Sequence, residues 1–305
     1  MRKISAFLLI FLLAAGVFGR NAAQLRAQDR DNIKINFSGS VNWNSSVIDA
    51  QVSLDLASAG VKLPAGRTYG ETLLKDAYLE MMRPHILSLQ YDSSSTLGDL
   101  TDRGELTLSQ IDSIALGAAS KAPSLSPDMR RITSSHSISL SKISVSLLRH
   151  SRPSPVTRTL NPLSSAQYSG IIIMAPEELQ IHGMKGKALA VPCLFPKIWD
   201  SEMNLLYERN MLEINNTVMV HYSLSDNIFR SDNPSGLSKE LQDIVGQKPL
   251  RIFAQGVFGS KPTDLIIDRN DALIIISSEE NRRLLSQGRV VFILNNDVLK
   301  SKITE

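Results

Sequence analysis

The chain is poor in cysteine and in aromatic residues. Cys193 is the only cysteine in 305 residues, so an intrachain disulfide is excluded and stability must come from packed cores. Because a lone cysteine in an apolar stretch packs as a small hydrophobic residue, we expect Cys193 to be buried rather than reactive. Aromatic residues make up 6% of the chain, whereas the apolar fraction of 43% is ordinary for a globular protein.

Several catalytic and metal-binding motifs are also missing. The sequence has no His-Glu-x-x-His, Cys-x-x-Cys, Gly-x-Ser-x-Gly or Walker-type phosphate loop, and its 5 histidines show no metal-ligand spacing. We therefore predict a protein that is not an enzyme and that uses no cofactor and no metal. A hydrolase with a dispersed Ser/His/acid triad is the less favoured alternative, since triads assemble from distant positions.

Residues 1–19 have the pattern of a secretory signal peptide. Arg2 and Lys3 form a short cationic start, residues 4–18 are almost wholly apolar, and cleavage is expected near Gly19. The apolar run is shorter than the roughly 20 residues that span a bilayer, so a retained anchor is the weaker alternative. No cysteine near the cleavage site can carry a lipid. We therefore predict export to the periplasm without a lipid anchor.

The charge balance argues against nucleic acid as a partner. The formal net charge is +3, and it falls to +1 when Arg2 and Lys3 leave with the signal peptide. Nucleic-acid binding usually requires a concentrated basic face, which this near-neutral chain does not show.

Composition and periodicity predict an α+β protein with two modules. Each module is expected to be a mainly antiparallel sheet with helices packed on one side. The predicted segments after the signal peptide are a flexible polar leader that could end in an edge strand (20–45), an N-terminal α+β module (46–148), a Pro/Arg-rich linker (149–167), a C-terminal α+β module (168–299) and a tail (300–305).

Three elements are predicted within the first module. Apolar residues at helical spacing predict a helix over residues 69–89, kinked or broken at Pro84, and a second helix over residues 105–119. Alternating serine and apolar residues predict a strand over residues 134–148. The alternation slips by one position at Ser141, which we interpret as a β-bulge, with a turn as the alternative.

The candidate contact residues lie on two segments predicted to be exposed. Arg149, Arg152 and Arg158 in the linker could bind an anionic partner, although a solvated tether is the alternative. Asp200 and Glu202 lie at the tip of a predicted hairpin. Because exposed loops are the usual carriers of function, these five residues are our predicted partner contacts.

Three blocks in the second module carry a family resemblance. Residues 168–173 are Tyr-Ser-Gly-Ile-Ile-Ile, residues 196–207 run from Pro-Lys-Ile-Trp-Asp to Leu-Leu-Tyr, and residues 249–272 contain Pro-Leu, Thr-Asp and Asp-Ala. These blocks resemble secreted bacterial proteins related to flagellar assembly protein T and the FlgP-type envelope lipoproteins. Met174 departs from the acidic residue usual in that group, and the lipid-bearing cysteine is missing.

The resemblance implies a non-enzymatic structural or assembly protein of the bacterial cell envelope, with a flagellar-motor accessory as the specific role. Its expected partners are proteins of a large envelope or flagellar assembly, through which it could associate with the outer membrane, and a homo-oligomer remains open. The alternative is an envelope ligand-binding or adaptor module for peptidoglycan or a divalent ion. For such an ion, Glu177 and Glu178 could join Asp200 or Glu202, although no regular calcium loop is present.

Overall fold

The structure is a computed structural model, and it describes residues 33–148, 150–216, 218–228 and 235–304. The predicted signal peptide and the first part of the predicted leader lie outside the described residues. The chain divides into two compact units. The smaller unit contains the described residues up to Phe37, Gln51–Tyr78 and Lys121–Ser135, and the larger unit contains Ser38–Ala50, Leu79–Ser120 and His136–Glu305.

Helices and strands alternate along the described chain. The helices are α1 (Arg67–Leu87), α2 (Leu97–Asp102), α3 (Leu108–Leu116), α4 (Leu140–Leu147), α5 (Lys239–Val245), α6 (Arg269–Ser277), α7 (Glu279–Ser286) and α8 (Asn296–Leu299). The strands are β1 (Ile35–Asn42), β2 (Val47–Asp55), β3 (Ala119–Ser120), β4 (Ser124–Leu125), β5 (Arg131–Ser139), β6 (Ile171–Ala175), β7 (Leu179–Ile181), β8 (Lys187–Ala188), β9 (Ile198–Asp200), β10 (Leu205–Tyr207), β11 (His221–Leu224), β12 (Leu250–Phe253), β13 (Gly256–Phe258), β14 (Asp264–Ile267), β15 (Val290–Leu294) and β16 (Lys300–Thr304).

The sheet of the first module is completed by the end of the chain. Its strand order is β16-β1-β2-β5-β3, and β4 also pairs with β5. Strand β1 pairs antiparallel with β16, from Ser38 opposite Thr304 to Asn42 opposite Lys300. The segment predicted as a leader therefore contains an interior strand, and residues 300–305, predicted as a tail, contain the edge strand beside it.

The predicted bulged strand over residues 134–148 is wrong in its second half. Strand β5 ends at Ser139, and helix α4 begins at Leu140. The buried residues Leu140, Ile143 and Leu147 of α4 are spaced i, i+3, i+7, which is a helical period. The slip in the alternation therefore marked a change from strand to helix rather than a bulge.

The helix predicted over residues 105–119 begins later and is preceded by another helix. Each of the two has a capping box at its start, formed by Thr96 with Asp99 in α2 and by Thr107 with Gln110 in α3. A capping box pairs the helix-start N–H groups with side chains and so specifies where a helix begins. Helix α1 runs unbroken to Leu87 with a proline in its last turn.

The second module contains a six-stranded sheet, β10-β9-β14-β13-β7-β8, and a four-stranded sheet, β11-β15-β6-β12. The prediction of an α+β protein with two modules is confirmed. The four-stranded sheet differs from the antiparallel expectation, because its three strand pairs are all parallel. Its central strands β6 and β15 are buried along their whole length, as expected when both faces of a parallel sheet are covered.

Helix α5 packs against one face of this parallel sheet. The residues of β6 and β15 that contact it alternate along each strand, as a period of two requires. The resulting cluster of buried side chains consists of Leu237, Leu241 and Val245 with Ile228 and, from the sheet, Ile172, Met174, Val291 and Ile293.

Gly170 precedes β6 at a point where no side chain fits. A Cβ atom at this position would lie 2.5 Å from the Cα of Val245 in α5. Gly170→Ala is therefore expected to lower the free energy of unfolding by about 1–3 kcal/mol, because strand or helix must move to relieve the overlap. Urea denaturation measures the change.

Gly70→Ala is the matched control for this substitution. Gly70 lies in α1, and its added Cβ would meet the Leu56 side chain at 3.4 Å, an ordinary contact. Because alanine is the better helix former, we expect no loss of stability or a gain of up to about 1 kcal/mol. Equal losses in the two variants would contradict a special close approach at Gly170.

Candidate functional site

Residues 150–168 form an extended segment, which we call the strap, that is hydrogen-bonded to the second module. At its start, a ring nitrogen of His150 lies 2.8 Å from the carbonyl oxygen of Leu212. The backbone N–H of Ser154 donates to the carbonyl oxygen of Asn210 at 2.7 Å. The segment predicted as an exposed linker is therefore attached to the module that follows it.

The end of the strap is held by the buried amide of Asn281, which is 1% exposed. Its Nδ2 donates to the Ser165 hydroxyl and to the Ala166 carbonyl oxygen, both at 3.0 Å. Its Oδ1 accepts the Tyr168 N–H at 3.1 Å. One side chain of helix α7 thus orders the backbone immediately before β6.

Between these attachments the strap presents two of the three predicted arginines to solvent. Arg152 and Arg158 are exposed, and neither forms an ion pair within the part of the chain that the structure describes. Arg149 lies outside the described residues. The strap therefore carries unpaired cations on a backbone that is fixed at both ends.

The predicted hairpin tip forms the turn between β9 and β10, but its two acidic residues are already engaged. Asp200 is 5% exposed. Its carboxylate accepts hydrogen bonds from the backbone N–H groups of Glu202 and Asn204 at 3.0 and 2.8 Å, and from the Asn204 amide at 2.8 Å. The expectation of an exposed Asp200 is wrong, because an aspartate that opens a turn uses its oxygens on the turn itself. Glu202 is exposed and forms an ion pair with Arg269.

An open groove of about 430 Å³ lies in the larger unit between helices α3 and α4. Successive turns of the two helices line it from two sides, and the end of β5 also lines it. Its lining residues are Val47, Leu106, Gln110, Ser113, Ile114, Gly117, Ala119, Ser137, Ile138, Ser139, Lys142, Ile143, Ser146 and Leu147.

The groove combines an apolar interior with a polar edge. Leu106, Ile138 and Ile143 are buried within it, whereas several serines and one glutamine line it with polar groups. Lys142 is the only charged lining residue, is exposed, and forms no ion pair among the described residues. An apolar concavity with a few polar groups is the usual composition of a small-molecule site.

Sequence reasoning missed this groove because it assigned residues 134–148 to one strand. The groove needs a second helical wall, and α4 supplies it. The available signal was the helical spacing of Leu140, Ile143 and Leu147, which competed with the serine alternation in the same segment.

Two further titratable groups are buried and closed to solvent. Burial raises the pKa of the Cys193 thiol, and its 1% exposure confirms the prediction of a buried cysteine. Asp264 is 0% exposed, and burial raises the pKa of its carboxyl although it accepts hydrogen bonds from Lys197 N–H and Trp199 Nε1. Both groups therefore contribute to packing rather than to an accessible site.

The described ranges give neither a metal site nor a membrane span. Within them, no group of three or more His, Cys, Asp or Glu side chains could hold a metal ion, so the carboxylates considered for calcium do not form such a group. No helix among the described residues is long and apolar enough to cross a membrane.

Comparison with protein families gives two matches. Residues 34–146 match the N-terminal domain of Treponema pallidum Tp0624, and residues 170–296 match its second domain. Together the matches cover more than half of the chain, and the strap joins them. Every groove residue except Leu147 lies within the first match. A comparison with curated proteins gave no match.

Proposed function

Because the chain belongs to the bacterial family represented by the first two domains of Treponema pallidum Tp0624, we propose that it is a structural or assembly protein of the cell envelope. In this proposal residues 1–19 direct export to the periplasm, and the protein acts without catalysis and without a lipid anchor. The resemblance to proteins related to flagellar assembly protein T makes the flagellar motor the first assembly to test.

The observation that carries this proposal is the strap. Arg152 and Arg158 are exposed on a segment whose ends are hydrogen-bonded to the second module. A segment that is already ordered loses less conformational entropy on binding than a free tether does. Guanidinium groups bind carboxylates in a bidentate manner and are enriched at protein interfaces. An acidic protein surface is therefore the partner that the strap fits.

The Arg152→Glu/Arg158→Glu double variant is expected to release the protein from its envelope complex. Reversal of both charges places like charges against an acidic partner, which opposes association. Sedimentation of solubilised envelope complexes, from a deletion strain that carries the variant, measures the bound fraction. We expect that fraction to fall by about tenfold.

Lys185→Glu/Lys187→Glu is the matched control. It changes the net charge by the same amount at exposed positions in and beside the turn between β7 and β8. An equal release of both double variants would show a general charge effect and would contradict a specific role of the strap. Full retention of the Arg152→Glu/Arg158→Glu variant in the envelope complex would also contradict a role of the strap.

Deletion of the gene in the source bacterium tests the flagellar role. The deletion strain is scored for motility and, by cryo-tomography, for the density of its motor. Lost density around an assembled motor, restored by the wild-type gene, is the expected result. Normal motility with an unchanged motor would contradict the flagellar role, and the sedimentation assay would then identify another envelope assembly.

A second candidate function is that of an envelope ligand-binding module, which the groove between α3 and α4 favours. Its lining contains no carboxylate, whereas protein sites for divalent cations are rich in carboxylate oxygens. The groove therefore favours an organic ligand over the divalent ion considered from the sequence.

A further inference from the structure

We propose that the groove between α3 and α4 binds a long-chain fatty acid, with the hydrocarbon chain against the apolar lining and the carboxylate beside Lys142. This inference rests on the second candidate function, the ligand-binding module, and not on the strap.

The first argument is the apolar interior of the groove. The half-buried Val47 and Ile114 supply accessible apolar area to the lining, while Leu106, Ile138, Ile143 and Leu147 are each no more than 4% exposed and contribute little of it. The removal of a hydrocarbon chain from water onto such a surface is favourable in proportion to the apolar area buried.

The second argument is size. A volume of about 430 Å³ falls within the range of roughly 300–1,000 Å³ found for small-molecule sites. Short side chains create this space, because Ser113 and Gly117 lie on one wall and Ser146 lies on the other. A larger side chain at any of these positions would occupy the volume that the ligand needs.

The third argument is charge. Lys142 is the only charged residue of the lining and lacks an ion-pair partner among the described residues. A lysine can lay its aliphatic stem along an apolar surface while its ammonium group stays in water. An apolar molecule with one anionic end matches both parts of that side chain. A free fatty acid is therefore the ligand class that fits best.

Fluorescence titration of the purified mature chain with dansylated undecanoic acid tests the proposal. We expect a saturable rise in dansyl emission and its reversal by palmitate. Ser113→Trp should weaken binding by at least about tenfold, because the indole occupies part of the groove that the hydrocarbon chain needs. Ser109→Trp, at an exposed position of the same helix outside the lining, should bind as the wild type does. Circular dichroism confirms that both variants are folded.

Lys142→Met separates the charge contribution from the apolar one. We expect dodecanoate to bind about two- to fivefold more weakly to this variant, since an exposed ion pair contributes modestly. Binding of dodecanol should not change. Equal effects on both ligands would contradict the placement of the carboxylate beside Lys142.

Three results would overturn the proposal. The first is that the folded wild-type chain shows no saturable binding of the probe. The second is that Ser113→Trp binds the probe as tightly as the wild type does. The third is that the wild-type chain binds phosphatidylglycerol vesicles and that palmitate does not displace it from them. The last would assign the groove to a membrane lipid instead. Each would leave the strap proposal intact, because the sedimentation of envelope complexes does not depend on the groove.

Discussion

Asp264→Ala is expected to lower the free energy of unfolding by about 3–4 kcal/mol, the largest single effect among our predictions. The Asp264 carboxylate is completely buried. It accepts the Lys197 N–H at 3.1 Å and the Trp199 Nε1–H at 3.2 Å. The hydroxyls of Thr263 and Ser93 also hydrogen-bond to it. Alanine leaves these donors without an acceptor in a buried site, which is costly for each of them.

Chemical denaturation measures this loss, and Asp243→Ala is the control. Asp243 is an exposed aspartate of helix α5, so its removal should change stability by less than about 0.5 kcal/mol. If Asp264→Ala were equally mild, the carboxylate would not be the acceptor that holds these donors.

Asp264→Asn tests the same site through its pH dependence. Burial raises the pKa of the folded-state carboxyl above its unfolded value of about 3.9. The stabilising contribution of this group is therefore fully present below the unfolded pKa and is lost as the pH rises through the folded pKa. Asparagine does not ionise, so the stability difference between wild type and variant should be largest near about pH 4 and smaller at about pH 7. A difference that grows with pH would contradict the raised pKa.

Tyr222→Phe is expected to lower the free energy of unfolding by about 2–4 kcal/mol. The buried Tyr222 hydroxyl accepts the Cys193 N–H at 3.0 Å and donates to the Cys193 carbonyl oxygen at 2.8 Å. Phenylalanine keeps the ring that packs edge-on against Trp43 and Phe292. The substitution therefore isolates the loss of two hydrogen bonds to buried backbone groups. Thermal and chemical denaturation both report it.

Tyr69→Phe provides the comparison for Tyr222→Phe. Tyr69 is 57% exposed, so water can replace any partner of its hydroxyl, and the expected change is within about 0.5 kcal/mol. A similar loss in both variants would mean that the Cys193 backbone is not held by the Tyr222 hydroxyl.

Local apolar patterns predict two buried strands of the second module. The apolar runs within residues 170–174 and 289–294 predict strands, and the structure has strands β6 and β15 there. The same runs carried a further signal, since strands without polar alternation are typical of parallel sheets covered on both faces. Their pairing as neighbours depends on a connection of more than a hundred residues, which no local pattern specifies.

The dependence of structure on distant segments also explains the wrong predictions in the first module. Residues 134–148 satisfy a strand period in their serines and a helix period in Leu140, Ile143 and Leu147, and only burial in the folded unit decides between them. Strand β1 looked like an edge strand because its partner β16 lies at the other end of the chain.

For the residues of the candidate site, too, the sequence predicted some properties and the tertiary structure decided others. The exposure of Arg152 and Arg158 followed from a segment rich in proline and arginine, and the structure added the hydrogen bonds that attach it. Asp200 was misassigned because an aspartate that opens a turn and an aspartate that faces solvent have the same local sequence.

The sequence by itself determined the features that neighbouring residues encode, namely the two α+β modules, the buried apolar strands and the buried cysteine. The tertiary structure alone decided the parallel strand order, the return of β16 to β1, the four donors around Asp264 and the groove beside Lys142. The physical reason is the distance along the chain over which each kind of interaction acts. Periodicity and capping act over a few residues, whereas strand partners, buried acceptors and cavities are set by side chains that meet only after distant segments have packed.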